Sequence, residues 1–352
     1  MKQLPIQYPI MTSYNNYATL CATISCMEDG NKWIYNNFSQ LYAVNIAGGN
    51  RIIFRDDINS FWKISPQKFF HYHNPFFSEY TIIENFDLFF GLSDLVGIIK
   101  HSLDNGFYVN IMLAKCFIEG LDSWGKLYHD ACVYGYDDDC FFIADFIGPD
   151  GSYSFGRVSF AKLIESYRMY DEYKKYKNFH VPDFTTHNRR LIMYKLENIQ
   201  YAFDVPFLLQ ALNDYYTSQN TIDAYEFRKV NMQQNGGPLI YGMDLYEKVL
   251  LNWGDVFALR NICSFLDHKL IMAKRCRFLV ENNYINDLSI CSMSEGIYKR
   301  FQLMRTIFLK NEISPNLRNA QKMEDILRET MATEKLLIQT LTDELVNHLK
   351  AM

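Results

Sequence analysis

The chain has 352 residues, 49% of them hydrophobic and 16% aromatic, which is enough apolar material for a sizeable core and too much for a disordered chain. A net charge of −5 and a pI of about 5.9 give no overall positive field to attract nucleic-acid phosphates or anionic lipid. Eight cysteines without a Cys-x-x-Cys pair exclude a zinc ribbon or a redox motif and point to reduced, intracellular thiols. No uncharged apolar run reaches the roughly eighteen residues a membrane span needs, and the N-terminus lacks a cleavable apolar leader, so a cytoplasmic location is expected.

In chain order, Ser13 to Gly30 predicts a helix capped by Asn15 or Asn16, with Tyr17, Leu20, Cys21, Ile24 and Met27 on its buried stripe and Gly30 just past its end. Residues 31–44 read as a second amphipathic helix carrying Trp33, Ile34, Phe38, Leu41 and Tyr42, and Ile52-Ile53-Phe54 as a short strand. His71 and His73 share one face of a possible strand, but a metal site needs a third ligand, and two ordinary polar positions are the better reading. Ser93 caps a helix that stops near Gly106, and Phe107–Leu113 reads as a strand.

Residues 128–146 then carry two runs rich in aromatic and β-branched side chains around Asp137, Asp138 and Asp139, the pattern of a β-hairpin. A loop made of the three aspartates sets Tyr136 opposite Cys140 and Ala131 opposite Asp145, which puts His129 and Asp145 on one face as diagonal neighbours. A two-residue loop would put them on opposite faces. A histidine needs a partner on one ring nitrogen before the other can act as a base, and Asp145 can be that partner. Equally, His129 can simply open a strand and Asp145 close one.

A histidine opening a strand, a Gly-Tyr-Asp turn, an apolar strand and an Asp sixteen positions after the histidine resemble the second half of a papain-like cysteine enzyme. The nearest resemblance is to the family of the N-terminal domain of butirosin biosynthesis protein H, with the peptidase domains of bacteriocin-processing transporters more distant. Lys32-Trp33-Ile34-Tyr35-Asn36-Asn37-Phe38, Tyr241-Gly242-Met243-Asp244-Leu245-Tyr246 and Asp267-His268-Lys269 extend the likeness over most of the chain. The resemblance implies a thiol nucleophile at the start of the first helix, where the helix dipole and a nearby imidazolium stabilise a thiolate. Cys21 is the best-placed thiol and Cys26 lies a further turn along. Measured back from Gly30, the position of the family cysteine can also fall on Asn16, which cannot act as a nucleophile, so Cys21, Cys26 and no nucleophile all stay open.

After the hairpin, Gly148–Gly151 turns the chain, Phe160–Arg168 reads as a helix and Arg190–Leu196 as a strand. From about Asp204 helical spacing takes over, at Pro206–Tyr216, Gly242–Asn252, Val256–Asn282, Ser294–Phe308 and Leu317–Leu349. The expected architecture is α+β: a papain-like cysteine-protease-type domain over residues 1–200, then an all-α C-terminal domain over 201–352. The last helix can pack in a bundle or form a homodimer. The basic clusters at Lys174-Lys175 and Lys274-Arg275-Cys276-Arg277 read as solvated helix faces, although a carrier protein, typically acidic, is a conceivable partner.

The resemblance implies an acyltransferase or thioester-processing enzyme of natural-product biosynthesis, in which Cys21 attacks a carrier-bound acyl or peptidyl thioester, His129 moves the proton and Asp145 orients His129. Its partners would be the carrier protein and a small-molecule acceptor, and no cofactor or metal is called for. A non-catalytic module that holds a carrier protein or peptide intermediate, favoured by Asn16, is the alternative, and a cysteine peptidase is the third reading.

Overall fold

The computed structural model describes residues 1–46, 49–54, 74–83, 90–124, 128–149, 151–176, 191–219, 240–251 and 259–352. The chain is a mixture of α and β structure in two compact units. Met1–Asn31 and Asp57–Tyr201 form the first, and Lys32–Asp56 and Ala202–Met352 the second.

The first unit is built on a seven-stranded antiparallel sheet. Its strands are β1 (Lys2–Gln3), β4 (Phe77–Ile83), β5 (Phe107–Ala114), β6 (Tyr128–Tyr136), β7 (Cys140–Asp145), β8 (Ser154–Ser159) and β9 (Leu191–Leu196), the second and third strands of the chain belonging to the other unit. The order is β4-β9-β5-β6-β7-β8, with β1 paired to the far end of β6. Helix α1 (Asn15–Ile24) and helix α3 (Asp94–Asp104) cover opposite faces. The α3 residue Ser102 bonds the sulfur of Met193, whereas Thr23 of α1 bonds the hydroxyl of Tyr194, and adjacent strand residues point to opposite sides. Coverage on both faces explains why β5 and β7 are buried along most of their length instead of alternating. Helix α4 (Phe160–Tyr176) follows β8 directly.

From Tyr17 onward helix α1 has no solvent face. Each residue from Tyr17 to Ile24 is at most 2% exposed, so the expected amphipathic stripe is replaced by a central helix buried all round. It begins at Asn15, after Tyr14 in extended conformation, one residue from where an asparagine cap would start it.

The second unit contains α2 (Gly30–Asn37) in part, a three-stranded antiparallel sheet and five later helices among the described residues. The sheet is made of β2 (Leu41–Ile46), β3 (Gly49–Phe54) and β10 (Ile240–Tyr241), in the order β10-β2-β3. The helices are α5 (Val205–Tyr216), α6 (Asp244–Leu251), α7 (Leu259–Glu281), α8 (Ser289–Ile313) and α9 (Leu317–Ala351). Among the described residues beyond 201 the expected helical character holds, and the two-residue strand β10 is the one departure from an all-α domain. Residues 41–46 leave the helix expected over 31–44 to pair with Gly49–Phe54 on one edge and with Ile240–Tyr241 on the other. The last contact spans nearly two hundred residues of chain, and no local periodicity announces it.

Arg275, expected on a solvated face, is fully buried and donates to the carbonyls of Tyr35 and Phe38, at 2.5 and 2.8 Å. These lie at the end of α2, where carbonyls lack intrahelical partners. The apolar stripe of α9, including Met323, Leu327, Leu337 and Leu341, is buried within this unit, where α9 packs on α5, α6 and α8. The bundle alternative is the one observed, and that stripe is not available to a dimer.

Candidate catalytic pair at His129 and Asp145

The hairpin places the pair by a route the loop alone does not predict. Near the turn Tyr136 lies opposite Phe141 and Gly135 opposite Phe142, one residue away from the expected register. A bulge between Val133 and Gly135 then restores it, so that Val133 faces Ile143 and Cys132 faces Ala144. If the turn register continued, Asp145 would come opposite Cys132 and point away from His129, because a one-residue slip moves every side chain to the other face. The bulge is anchored on the β1 side. A Cβ on Gly135 would lie 2.6 Å from the Lys2 carbonyl and 3.0 Å from the Gln3 Cα, both backbone atoms, so only glycine fits. At the turn, Asp137 accepts from the amides of Asp139 and Cys140 at 3.1 and 2.8 Å and pairs with Arg157 at 2.6 Å.

His129 Nδ1 and Asp145 Oδ1 are 2.6 Å apart. The carboxylate is 1% exposed and also accepts from the Phe146 amide at 2.6 Å, while the His129 side chain keeps 29% of its surface. An ionised Asp145 can only accept, so the Nδ1 proton belongs to His129 and Nε2 is the nitrogen able to take another. Burial by itself pulls the His129 titration down. The charge and hydrogen bond of Asp145, helped by Asp130, outweigh both burial and the opposing charge of Lys115, so His129 protonates more readily than an ordinary histidine. The ring of Phe146 stands edge-on to the imidazole at 6.0 Å, and Tyr153 packs on Phe146 at 5.7 Å.

Lys115 and Phe146 carry no motif that marks them in the sequence. Lys115 is 5% exposed, and its ammonium donates to the Phe146 carbonyl. The one signal is a lone lysine in the run Leu113-Ala114-Lys115-Cys116-Phe117-Ile118, immediately after a strand.

Cys21 lies elsewhere on the helix. The Asn15 amide donates to the Asp130 carbonyl, which brings the first turn of α1 to the residue next to His129. Cys21 is six residues further, about 9 Å along the axis at 1.5 Å per residue, and is 0% exposed. The first turn itself, Asn15-Asn16-Tyr17-Ala18, carries no thiol. Cys26 follows the helix, with its thiol donating to the Ala22 carbonyl at 3.5 Å, and burial raises its pKa. The structure therefore assembles the histidine and the aspartate and leaves Cys21 in the core. His71 and His73 lie outside the described residues, and among the described residues no group of three or more His, Cys, Asp or Glu side chains could hold a metal ion.

Two of the three other stretches that carried the resemblance, those holding Tyr246 and His268-Lys269, meet in a second polar cluster within the second unit. Lys269 and Glu334, both fully buried, form an ion pair at 2.6 Å. Lys269 also donates to the Tyr215 hydroxyl at 2.9 Å and to His268 Nδ1 at 3.1 Å, and the rings of Tyr215, Tyr246, Phe265 and Phe301 surround it at 5.2 to 5.6 Å. Tyr246 donates to the other oxygen of Glu334. His268 Nε2 donates to the Ser39 carbonyl at 2.9 Å, and burial, then the charges of Lys269 and Arg275, push its pKa well below the ordinary value. Gly242, at φ 53°, lets its backbone lie against Tyr215, where a Cβ would come 2.0 Å from the carbonyl oxygen.

No protein-family model matches this chain, and no curated protein sequence matches it. Among the described residues no helix is long and apolar enough to cross a membrane.

Proposed function

We propose that this protein is a papain-like acyl-transfer or thioester-processing enzyme of natural-product assembly, acting on a carrier-bound acyl or peptidyl thioester with His129, oriented by Asp145, as its base. The observation that carries the reading is the 2.6 Å contact between a buried carboxylate and a partly exposed imidazole, which leaves Nε2 as the proton acceptor. Local base strength supports it as well, since Asp145 stabilises the imidazolium that proton transfer creates.

Full burial of Cys21 favours a route without a covalent enzyme intermediate. In that route His129 Nε2 removes a proton from the acceptor amine, hydroxyl or water, and the acceptor's lone pair attacks the thioester carbonyl. The tetrahedral intermediate then breaks its C–S bond, and the thiolate leaves with the proton held on His129. The covalent route, in which the Cys21 thiolate attacks first, requires α1 to expose a residue it now buries. A non-catalytic module that holds the carrier protein is the second reading, supported by the absence of a thiol in the first turn of α1.

Incubation with an acyl thioester of N-acetylcysteamine, followed by a thiol assay and mass spectrometry of the intact protein, separates the three. Thiol release without a protein adduct, abolished in His129→Ala, is the expected result. An adduct on Cys21 would establish the covalent route. No thiol release, together with binding of an acidic carrier protein, would replace catalysis by the module.

A further inference from the structure

Lys115 is a charged group in a place that costs free energy. At 5% exposure its ammonium has lost most of its hydration, a loss that an isolated buried charge cannot recover. Holding one backbone carbonyl does not require a charge, because an amide side chain could do the same. Burial lowers the Lys115 pKa, and what distinguishes the position is Asp145, whose nearby carboxylate acts the other way and favours the charged lysine. Lys115 directly follows β5 and begins a short 3-10 turn, Lys115–Phe117, while the Ala114 amide is held by the Ser166 hydroxyl at 2.8 Å. The lysine is thus fixed at its base and bonded at its tip to the Phe146 carbonyl, and the amide of that same residue donates to the Asp145 carboxylate.

We infer that Lys115 is a positioning residue of the His129–Asp145 pair: its hydrogen bond holds the turn that aims Asp145 at His129, and its charge balances the carboxylate. The inference rests on the proposed role of His129 as a base. Among the described residues, the charges that act on His129 are Asp145 from β7, Asp130 from β6 and Lys115 from the end of β5. Two carboxylates without a nearby cation would hold the imidazole protonated over more of the neutral range, and a protonated imidazole cannot take the acceptor's proton. Lys115 opposes them and keeps a larger share of His129 in its working form.

The test is a direct titration of His129 that needs no substrate, so it stands or falls separately from the proposed activity. The full chain is labelled at histidine, and the His129 ring signals are assigned by their loss in His129→Asn. They are then followed with pH in the parent protein and in Lys115→Gln, Lys115→Met and Lys115→Arg. Lys115→Gln keeps a donor for the Phe146 carbonyl and removes the charge, so the midpoint should rise by about half a pH unit or more. Lys115→Met also removes the bond that aims Asp145, and since the Asp145 contact is what raises the midpoint, its value should fall below that of Lys115→Gln, whereas Lys115→Arg should leave it near the parent value. If thioester cleavage is detected, its acid-limb midpoint should move with the NMR value. A folded Lys115→Gln protein with an unmoved midpoint would overturn the inference. Failure of all three variants to fold would also overturn it, by making Lys115 a support of the sheet alone.

Discussion

The two units each contain a histidine beside charged partners, and the two are arranged to opposite ends. His129 faces a carboxylate, keeps 29% of its side-chain surface and is shifted towards the charged form. His268 faces Lys269 and Arg275, is fully buried and is held neutral. The polar contacts of its two ring nitrogens, to Ser39 and Lys269, are internal, and its ring stacks on Tyr215 at 4.8 Å. It has no surface through which to exchange a proton with a substrate. Lys269 and Glu334 beside it saturate each other with help from two tyrosines. A fully satisfied buried network of this kind specifies packing, whereas a half-open pair backed by a buried carboxylate is able to do chemistry.

The largest effect expected from breaking this contrast lies on the structural side. Lys269→Met leaves Glu334 buried without its cation and should cost about 3–5 kcal/mol in denaturant unfolding. The double variant Lys269→Met with Glu334→Leu should recover much of that loss, because it removes both charges together. A cost below about 1 kcal/mol for the single variant would mean that the pair is not sealed from water.

Next comes the bulge that aims the pair. Gly135→Val places a side chain against the backbone of β1 and should cost about 1–3 kcal/mol, while pulling the hairpin towards the turn register. Its diagnostic sign is loss of the downfield Nδ1 proton of His129 in the folded protein. Retention of that proton would show that the pair does not depend on the bulge.

The smallest effects are the pH dependences, and they have opposite signs. His129 protonates above the ordinary value of 6.5 when folded, so its stabilising contribution is complete below 6.5 and is lost as pH rises through the folded value. His268 protonates below 6.5 when folded, so its contribution is complete above 6.5 and is lost as pH falls from there towards the folded value. His129→Gln should therefore be more destabilising, relative to the parent, at about pH 5.5 than at about pH 8. His268→Asn should reduce the stability lost on acidification over the same range. A pKa that differs by one pH unit between the folded and unfolded chain changes stability by about 1.4 kcal/mol, so calorimetry at a series of pH values can resolve both.

Much of the first unit was legible because its signals are local. The hairpin showed in its aspartate turn and flanking aromatic strands, and the shared face of His129 and Asp145 followed from counting across that turn. The count reached the observed pairing through a compensation that the sequence signalled only as Gly135: the turn is displaced by one residue and the bulge returns it. Legible too was the helical character beyond Asp204, from its apolar spacing. What was not legible is non-local. Lys32–Asp56 joins the second unit through pairing of β2 with Ile240–Tyr241 and the capping of α2 by Arg275, contacts between residues far apart in the chain. Cys21 stood out as a thiol on an early helix, but composition cannot tell a cysteine at a helix start from one in a helix buried all round. Lys115 stayed hidden because a single lysine in an apolar run has no motif.

The measurement that bears most directly on the contrast is the rate of thiol release from an acyl thioester by folded His129→Ala and folded His268→Ala, each normalised to the folded fraction. General-base catalysis typically contributes about 10²- to 10⁴-fold, so His129→Ala should lose activity by that order per folded molecule. His268→Ala should unfold earlier and keep the parent rate per folded molecule. Parent-like release by His129→Ala, or a comparable loss in folded His268→Ala, would contradict the assignment of chemistry to the first histidine and packing to the second.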